Sequence, residues 1–450
     1  DYWVGKYTIQ PENGGVGVFA HEYTHDLGVP DLYDTVGGDN ATSFWTLMDS
    51  GSWLSQSLED LGSAPNHQGP WEKRELGWLD YVVAEPGTTT ELTLGPVEYN
   101  STEPQAVLVN LPDKFLEWSI GEPYDGDYFY YSGKGDNLKN KMYKAFTLPE
   151  GAQLTAMVNY GIEKGYDYAN LIVSNNGGLS WKTVPTNLSN STVEENGIDG
   201  STKKWTELTA DLTGYSGDVL LGFAYTTDGG VAEVGFMVDD IQITDEALDG
   251  AENDAGWTYQ GFKTSNGTEG GDFWNYYLAE NRTYYGYDVA LNNAYNWGFL
   301  KGKDAMVNWA ERFPYQDGLL VWYCDTSQAD NNTSVHPGSG FALPVDAHPV
   351  ALKIGKSNTL WRNRIQSYDS TFGREATDSL PLHYNSRLCT VPSLPAVSVF
   401  DGSLSYYDPS NPTGSVITPV TDARIEVLGT AGTHETGLYM GVRVTAPTLP

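Results

Sequence analysis

The chain has 450 residues, too many for one ordinary hydrophobic core, so its length predicts two to four domains. Its net charge of −34 arises although only 19% of the residues are charged, because lysine and arginine are scarce. Such a surface repels nucleic acid and anionic lipid, which argues against both as partners. No apolar run is long enough to span a bilayer. Salt adaptation and several calcium sites would each account for this acidity, and composition does not separate them.

The most informative stretch of the sequence reads HEYTH, from His21 to His25. On a helix, histidines four residues apart project from one face and can share a metal ion. Glu22 lies one step around the helix, where a carboxylate can take a proton from water. The pattern therefore predicts a helix that carries two zinc ligands and a general base, although the same letters can occur by chance on an ordinary helix.

The residues after this helix extend the pattern. Gly28 is suited to ending the helix and Pro30 blocks its continuation, so Asp31 arrives from a turn as a third ligand. His-Glu-X-X-His-X-X-Gly-X-X-Asp resembles the metzincin signature, with Asp in place of the usual third His. Metzincins also carry a methionine turn beneath the zinc, and Met48, 17 residues after Asp31, resembles it. Core packing is the alternative interpretation of this methionine.

Further segments resemble the immune inhibitor A family of secreted bacterial metallopeptidases. They are Pro30–Asp34, Leu47–Trp53, Trp71–Leu79, Tyr276–Arg282, Gly318–Tyr323, Asp330–Asn332 and His336–Gly340. The resemblance implies a secreted or extracellular endopeptidase, in some cases cell-surface associated, that hydrolyses protein substrates and carries zinc and often calcium.

One feature departs from a metzincin catalytic domain, which has a twisted sheet and a backing helix ahead of its zinc helix. Here 20 residues precede His21. We therefore expect an upstream fragment of the same catalytic domain as a partner. Without it, Val16, Phe19 and Leu27 would form an exposed apolar stripe, and the chain alone would be a poor enzyme because a substrate would lack a strand to pair with.

The pattern predicts an α+β fold with mainly antiparallel β-sandwich domains after the metal-binding part. We assign residues 1–85 to the C-terminal part of a metzincin-like catalytic domain, with a helix from Trp71 to Leu79. Alternating strand patterns assign 86–114 and 257–450 to one or more β-sandwiches. Residues 115–245 are expected to form a jelly-roll-like β-sandwich. Because the strands near Gln105 and Tyr276 resemble parts of one domain of the family, we interpret this sandwich as inserted into the second one.

Other residues are weaker candidates for function. Asp239 and Asp240 lie in a segment similar to the last strand of jelly-roll modules, where an acidic residue often helps to hold calcium; solvated carboxylates are the alternative. Cys324 and Cys389 could form one disulfide in an exported protein. We interpret His67 as structural, with a substrate contact as the alternative. The remaining candidates are interpreted as structural histidines and as core tryptophans rather than a sugar platform: His336, His348, His383, Trp118, Trp181 and Trp205.

The function predicted from these observations is a zinc-dependent endopeptidase. Two rival classes remain open. The chain could be a processed C-terminal fragment retained as a cell-surface binding or structural component, or a zinc hydrolase that acts on a non-peptide substrate. An upstream polypeptide docked above His21 would distinguish the endopeptidase from the retained fragment.

Overall fold

The computed structural model describes residues 7–12, 14–39, 41–55, 61–293, 313–385, 387–435 and 437–450. Within these ranges no helix combines the length and apolar character that crossing a bilayer requires. The helices are α1 (Val16–Asp26), α2 (Pro70–Glu75) and α3 (Asn363–Gln366), and 3-10 segments run Ser43–Trp45, Ser50–Trp53, Thr213–Tyr215 and Gly286–Asn292.

Strands make up most of the regular structure, and their bounds follow in chain order. They are β1 (Tyr81–Val83), β2 (Thr89–Leu94), β3 (Ala106–Asn110), β4 (Lys114–Ser119), β5 (Phe129–Tyr131), β6 (Lys139–Leu148), β7 (Gln153–Ile162), β8 (Tyr168–Ser174), β9 (Lys182–Val184), β10 (Gly200–Ser201), β11 (Thr206–Asp211), β12 (Gly217–Thr226), β13 (Gly235–Ile243), β14 (Thr258–Gln260), β15 (Lys263–Ser265), β16 (Thr268–Phe273), β17 (Asn275–Arg282), β18 (Gly318–Asp325), β19 (Ala342–Val345), β20 (Leu380–Tyr384), β21 (Arg387–Val391), β22 (Val399–Asp401), β23 (Arg424–Thr433) and β24 (Gly437–Thr445).

The chain divides into two compact units. Unit 1 comprises Asp1–Lys114 and Asp272–Pro450, and unit 2 is the continuous segment Phe115–Gly271. Unit 1 is built on a five-stranded sheet in the order β1-β3-β17-β18-β19, in which all pairings except the parallel β1–β3 pair are antiparallel. A four-stranded antiparallel sheet has the order β2-β24-β23-β22.

The five-stranded sheet is covered on both faces. Alternate residues of β18 show this: Leu320 and Trp322 belong to the core that contains Met48, whereas Val321 and Tyr323 belong to the core shared with β23 and β24. A strand that is buried on both sides is apolar at successive positions, as the sequence of β18 is. One core therefore lies under the metal-binding region, and the other joins the two sheets.

Unit 2 is built mainly on two facing sheets around its largest core, and the short β4 and β16 form a further two-stranded sheet. One sheet has the order β10-β7-β13-β5-β15, with β11 also paired to β7, and the other has the order β14-β6-β12-β8-β9. Phe236 of the first sheet and Phe223 of the second are both buried, with ring centroids 5.9 Å apart. The mainly antiparallel, sandwich-rich α+β fold expected from the sequence is confirmed.

Two boundaries expected from the sequence were wrong. Residues 257–271 belong to unit 2, because β14 pairs with β6, β15 pairs with β5, and Trp257 and Phe262 are buried in its core. The helix predicted from Trp71 to Leu79 ends at Glu75, since Gly77 takes a φ of +71° that turns the chain out of helical geometry. Residues 1–85 share one compact unit with the five-stranded sheet.

We predict that a fragment of residues 114–273 folds cooperatively, because it contains both sheets and the core of unit 2. A fragment of residues 114–245 lacks Trp257, Phe262 and two paired strands. Losing a buried Trp or Phe costs roughly 3–5 kcal/mol, so the shorter fragment should melt at least about 10 °C lower. Thermal unfolding monitored by circular dichroism measures the melting temperature of each fragment. Equal melting temperatures would contradict the boundary at residue 271.

Candidate metal centre

Helix α1 lies against the 3-10 segment beneath it through a close backbone approach. A Cβ atom at Gly17 would lie 2.0 Å from the Ser52 carbonyl oxygen, and the Gly17 N–H donates to the Gly62 carbonyl at 2.8 Å. A side chain at this position would push the helix and its histidines away from residues 50–53. Glycine is therefore required here for space.

The end of α1 turns the chain back towards the histidines. Gly28 has a φ of +100°, and its N–H donates to the His25 carbonyl at 2.9 Å. The next N–H, of Val29, donates to the Thr24 carbonyl at 3.3 Å. This left-handed turn confirms the helix end predicted at Gly28 and directs the chain to Asp31.

The structure brings His21, His25 and Asp31 together. Asp31 Oδ1 lies 3.1 Å from His21 Nε2 and 3.1 Å from His25 Nε2, and the three ligand atoms are within 4.8 Å of one another. Donor atoms bound to one tetrahedral zinc ion lie about 3.3 Å apart. Two imidazole nitrogens and one carboxylate oxygen at this spacing match the three protein ligands of a catalytic zinc site.

The second ring nitrogen of each histidine is bonded to the main chain. His21 Nδ1 donates to the Leu47 carbonyl at 2.9 Å, and His25 Nδ1 donates to the Val29 carbonyl at 2.8 Å. A carbonyl oxygen only accepts, so each Nδ1 carries hydrogen, and in the neutral ring Nε2 keeps the lone pair that a metal ion shared with Asp31 would take. This second shell of bonds orients both rings for a metal ion.

The electrostatics of the group agree with a cation at its centre. Burial lowers the pKa of His21, but the bonds to Asp31 and to the Leu47 carbonyl outweigh it, and the net pKa is raised. Burial raises the pKa of Asp31, but the bond to His21 and the neighbouring His25 lower it overall. The arrangement therefore favours positive charge between the carboxylate and the rings, which a proton or a metal ion can supply.

A cleft of about 460 Å³ opens beside the ligands, and Glu22, Tyr33 and Trp53 line it. Glu22 is partly exposed there, next to His21 on the same helix. Sequence analysis missed Tyr33, whose hydroxyl bonds Asp31 and whose ring lies 6.4 Å from the His21 ring, nearly parallel to it. Burial and the Asp31 charge raise the pKa of Tyr33 to about 12, so it is a donor at neutral pH.

Met48 is fully buried in the core beneath the ligands. Its main-chain carbonyl accepts the N–H of Leu32 at 3.0 Å, one residue after Asp31. The preceding carbonyl, of Leu47, accepts from His21. The turn that contains Met48 therefore holds both the helix and the third-ligand segment through two adjacent carbonyls.

Two asparagines some 300 residues away hold the third-ligand segment from its other side. Asn331 Nδ2 donates to the Leu32 carbonyl at 3.0 Å and to the Ala342 carbonyl at 2.9 Å. Asn332 Oδ1 accepts the N–H of Thr35 at 2.7 Å. Asp330–Asn332 is one of the segments that resemble the family, but its place in the sequence does not show which loop it binds.

The weaker candidates lie outside the metal centre. Asp239 is fully buried, and its carboxylate accepts main-chain N–H groups of Tyr124, Asp125 and Asp240. Burial raises the pKa of Asp239 to about 6. Asp240 is the adjacent residue in a bulge of β13 and has a φ of +47°. Main-chain amide groups already satisfy the Asp239 carboxylate. Calcium at Asp239 and Asp240 stays a prediction.

The two cysteines are free thiols, so the disulfide considered for them was wrong. Cys324 lies on the interior strand β18, where it is fully buried and its thiol bonds Tyr276. Cys389 lies on β21, opposite Leu382 of β20. Each is held in its own strand pairing.

His67 packs within unit 1, but the expectation that the tryptophans are core residues was wrong: Trp118 is 39% exposed, and Trp181 and Trp205 are partly exposed. The His67 main-chain N–H donates to Asp288 at 2.7 Å, its ring packs on Tyr287, and burial lowers its pKa to about 4. Trp205 donates to the Glu122 carbonyl at 2.9 Å and packs on Phe129. Trp181 packs on Tyr143, and His336 bonds Asp330.

Comparison with known proteins accounts for most of the chain. The immune inhibitor A peptidase M6 catalytic domain matches residues 1–79, the immune inhibitor A-like MAM domain residues 88–267, and the immune inhibitor A-like metallopeptidase VEG domain residues 272–438.

Two curated relatives match the chain almost end to end. The pre-pro-metalloprotease PrtV of Vibrio cholerae serotype O1 is 32% identical over 472 residues, which cover 98% of this chain and 48% of that protein. Immune inhibitor A of Bacillus thuringiensis subsp. alesti is 32% identical over 466 residues, which cover 97% of this chain and 64% of that protein. The chain thus spans about half to two thirds of these relatives.

Solved structures give weaker similarities. The K2 cleaved adhesin domain of Lys-gingipain has 16% identity and a TM-score of 0.20 over 35% of this chain and 99% of its own. The sugar-binding EclA C-terminal domain has 13% identity and a TM-score of 0.16 over 30% and 81%. The three domain matches and the near end-to-end relatives establish that the chain belongs to the immune inhibitor A-like family of metallopeptidases.

Proposed function

We propose that this chain carries the zinc ligands and the general base of an endopeptidase that hydrolyses proteins. The observation that supports it most directly is the convergence of His21 Nε2, His25 Nε2 and Asp31 Oδ1. Both rings are oriented by carbonyl bonds at Nδ1, and Glu22 lies in the adjoining cleft. The donor set of two imidazoles and one carboxylate favours zinc over the oxygen-preferring divalent ions.

In the proposed reaction, bound zinc supplies Lewis-acid chemistry that acidifies water and polarises the scissile carbonyl. Glu22 accepts the proton of the attacking water on its carboxylate and later returns it to the leaving amine. Asp31 and the two histidines hold the ion, and Tyr33 fixes the Asp31 carboxylate by donating to it. Met48 supports the ligands from below without touching substrate.

The exposed side of α1 supports the proposal that another protein surface packs against this helix. Val16, Phe19, Tyr23 and Leu27 follow one another at helical spacing and are 49%, 42%, 62% and 39% exposed. A contiguous apolar face of this kind is normally covered. We propose that the rest of the catalytic domain, in the same secreted protein, packs here and supplies the strand that binds the substrate.

We predict that Glu22→Gln, tested in the protein that carries its whole catalytic domain, retains one equivalent of zinc but loses activity. The amide can neither accept nor return a proton, so casein hydrolysis should fall by about 10²- to 10⁴-fold. Zinc content is measured in the same samples. Asp26→Asn, on the same helix but outside the cleft lining, is the matched control and should keep near-normal activity. More than a tenth of normal activity in Glu22→Gln would exclude Glu22 as the base.

We predict that this chain by itself binds a hydrophobic fluorescent dye through α1. Phe19→Ser and Leu27→Ser together should lower the dye signal several-fold, whereas Val420→Ser, at a position that is 83% exposed, should leave it unchanged. The same dye signal should fall when the rest of the catalytic domain is present. Two results together would contradict the proposal that the rest of the catalytic domain packs on α1: an unchanged dye signal in the double variant, and full proteolytic activity of the chain by itself. Neither result would contradict the zinc site.

A further inference from the structure

A partly enclosed cavity lies at one end of the core that joins the five-stranded and four-stranded sheets of unit 1. Its volume is about 140 Å³. Val427 of β23 and Leu438 and Met440 of β24 line it from one sheet, and Asn281, near the end of β17, lines it from the other. A cavity of roughly 150 Å³ can hold benzene, so this one has room for about six non-hydrogen atoms.

A bulge in β23 opens this end of the sandwich. The pairing of β23 with β24 shifts register between Val427 and Gly429. At the shift, the Leu428 carbonyl accepts from Arg374 Nη1 at 2.5 Å. A bulge bends its strand and interrupts the regular pairing, which leaves space beside the core.

Two amide oxygens beside the cavity have no hydrogen-bond donor in the described part of the chain. Asn281 is 1% exposed, and its Nδ2 donates to the Leu438 carbonyl at 2.5 Å and to the Gly95 carbonyl at 3.4 Å. Since a carbonyl oxygen only accepts, these two bonds fix the amide nitrogen and leave Asn281 Oδ1 unbonded. Gln316, which also lines the cavity, has an unbonded and buried Oε1. Buried acceptors normally have a partner.

The mouth of the cavity carries negative charge. Asp317 lines it, and 28% of the Asp317 side chain is exposed. Its carboxylate accepts the N–H of its own residue, and His434 Nδ1 lies 3.8 Å from Oδ2, beyond hydrogen-bond distance. Burial raises the pKa of Asp317; His434 opposes this, and the charges of Glu375 and Asp378 add to it. A cation at the mouth would therefore stabilise the ionised Asp317 carboxylate.

The cationic side chains nearby do not take up these acceptors. Arg374 also lines the cavity, but its Nη1 is bonded to the Leu428 carbonyl, and it forms no ion pair with Asp317 among the described residues. The His434 side chain is 52% exposed. The two amide oxygens and the Asp317 carboxylate thus remain as acceptors for a ligand.

We propose that this cavity binds a primary alkylammonium group, such as a lysine side chain of another protein or a free aliphatic amine. An ammonium group has three donors and no acceptor, which matches the two amide oxygens and the Asp317 carboxylate. Its aliphatic stem would lie on Val427, Leu438 and Met440. This lining favours an organic cation over a hydrated metal ion. The site is separate from the metal centre, because Met440 and Met48 belong to different cores.

The test is a calorimetric titration of the zinc-loaded protein with n-butylammonium chloride. Wild type should bind one equivalent saturably, and n-butanol, which has the same stem without the charge, should bind at least about tenfold more weakly. Asp317→Asn should weaken n-butylammonium binding by a similar factor, because the carboxylate charge is lost. Asp422→Asn removes the charge of an exposed aspartate in the same unit and should bind as wild type does.

A second titration identifies the source of the ammonium group. N-acetyl-lysine methylamide carries this group on a main chain, as a protein does. If it binds as tightly as n-butylammonium, the site takes a lysine side chain. If it binds at least about tenfold more weakly, the site takes a free amine.

The proposal is overturned if n-butylammonium does not bind, if n-butanol binds equally well, or if Asp317→Asn binds n-butylammonium as wild type does. If Asp317→Asn does not fold, wild type labelled at its methionine methyl groups decides. The Met440 resonance should shift during the n-butylammonium titration, whereas that of Met48, in the other core, should not. Saturation without a shift of Met440 would place the ligand elsewhere and refute the site.

Discussion

The metal centre depends on two adjacent main-chain carbonyls, those of Leu47 and Met48. The first accepts from His21 Nδ1 and so sets the ring orientation on α1. The second accepts the N–H of Leu32 and so sets the position of the segment that carries Asp31. Because the two acceptors belong to neighbouring peptide units, a shift of this turn would displace ligands on both segments together.

Buried charged side chains of unit 1 support the turn that contains Met48. The Thr46 hydroxyl donates to Glu72, and the Met48 N–H donates to Thr46 Oγ1 at 3.0 Å. Glu72 is fully buried, and burial raises its pKa, opposed by Thr46 and by the charge of Arg282. Arg282 is itself buried and pairs with Asp288 at 2.9 Å. Removing one partner of such a group costs about 3–5 kcal/mol, whereas the intact group mainly specifies one geometry.

Features that depend only on residues close together in the sequence could be predicted from it. The i, i+4 histidines, the glycine that ends α1 and the apolar strand β18 each follow from a short-range rule. Contacts between distant segments were not predictable. Asn331 reaches the Leu32 carbonyl across 299 positions, and the boundary at residue 271 depends on strand pairing rather than on linker composition.

Anomalous diffraction at the zinc edge, from crystals of the zinc-loaded protein, would locate the ion directly. If the three residues bind zinc, one peak lies in this region, about 2.0–2.2 Å from His21 Nε2, His25 Nε2 and a carboxylate oxygen of Asp31. Both Nδ1 atoms should remain on the Leu47 and Val29 carbonyls. Ligation through Nδ1, an Asp31 carboxylate turned away from the peak, or a peak bound by other residues would contradict this binding.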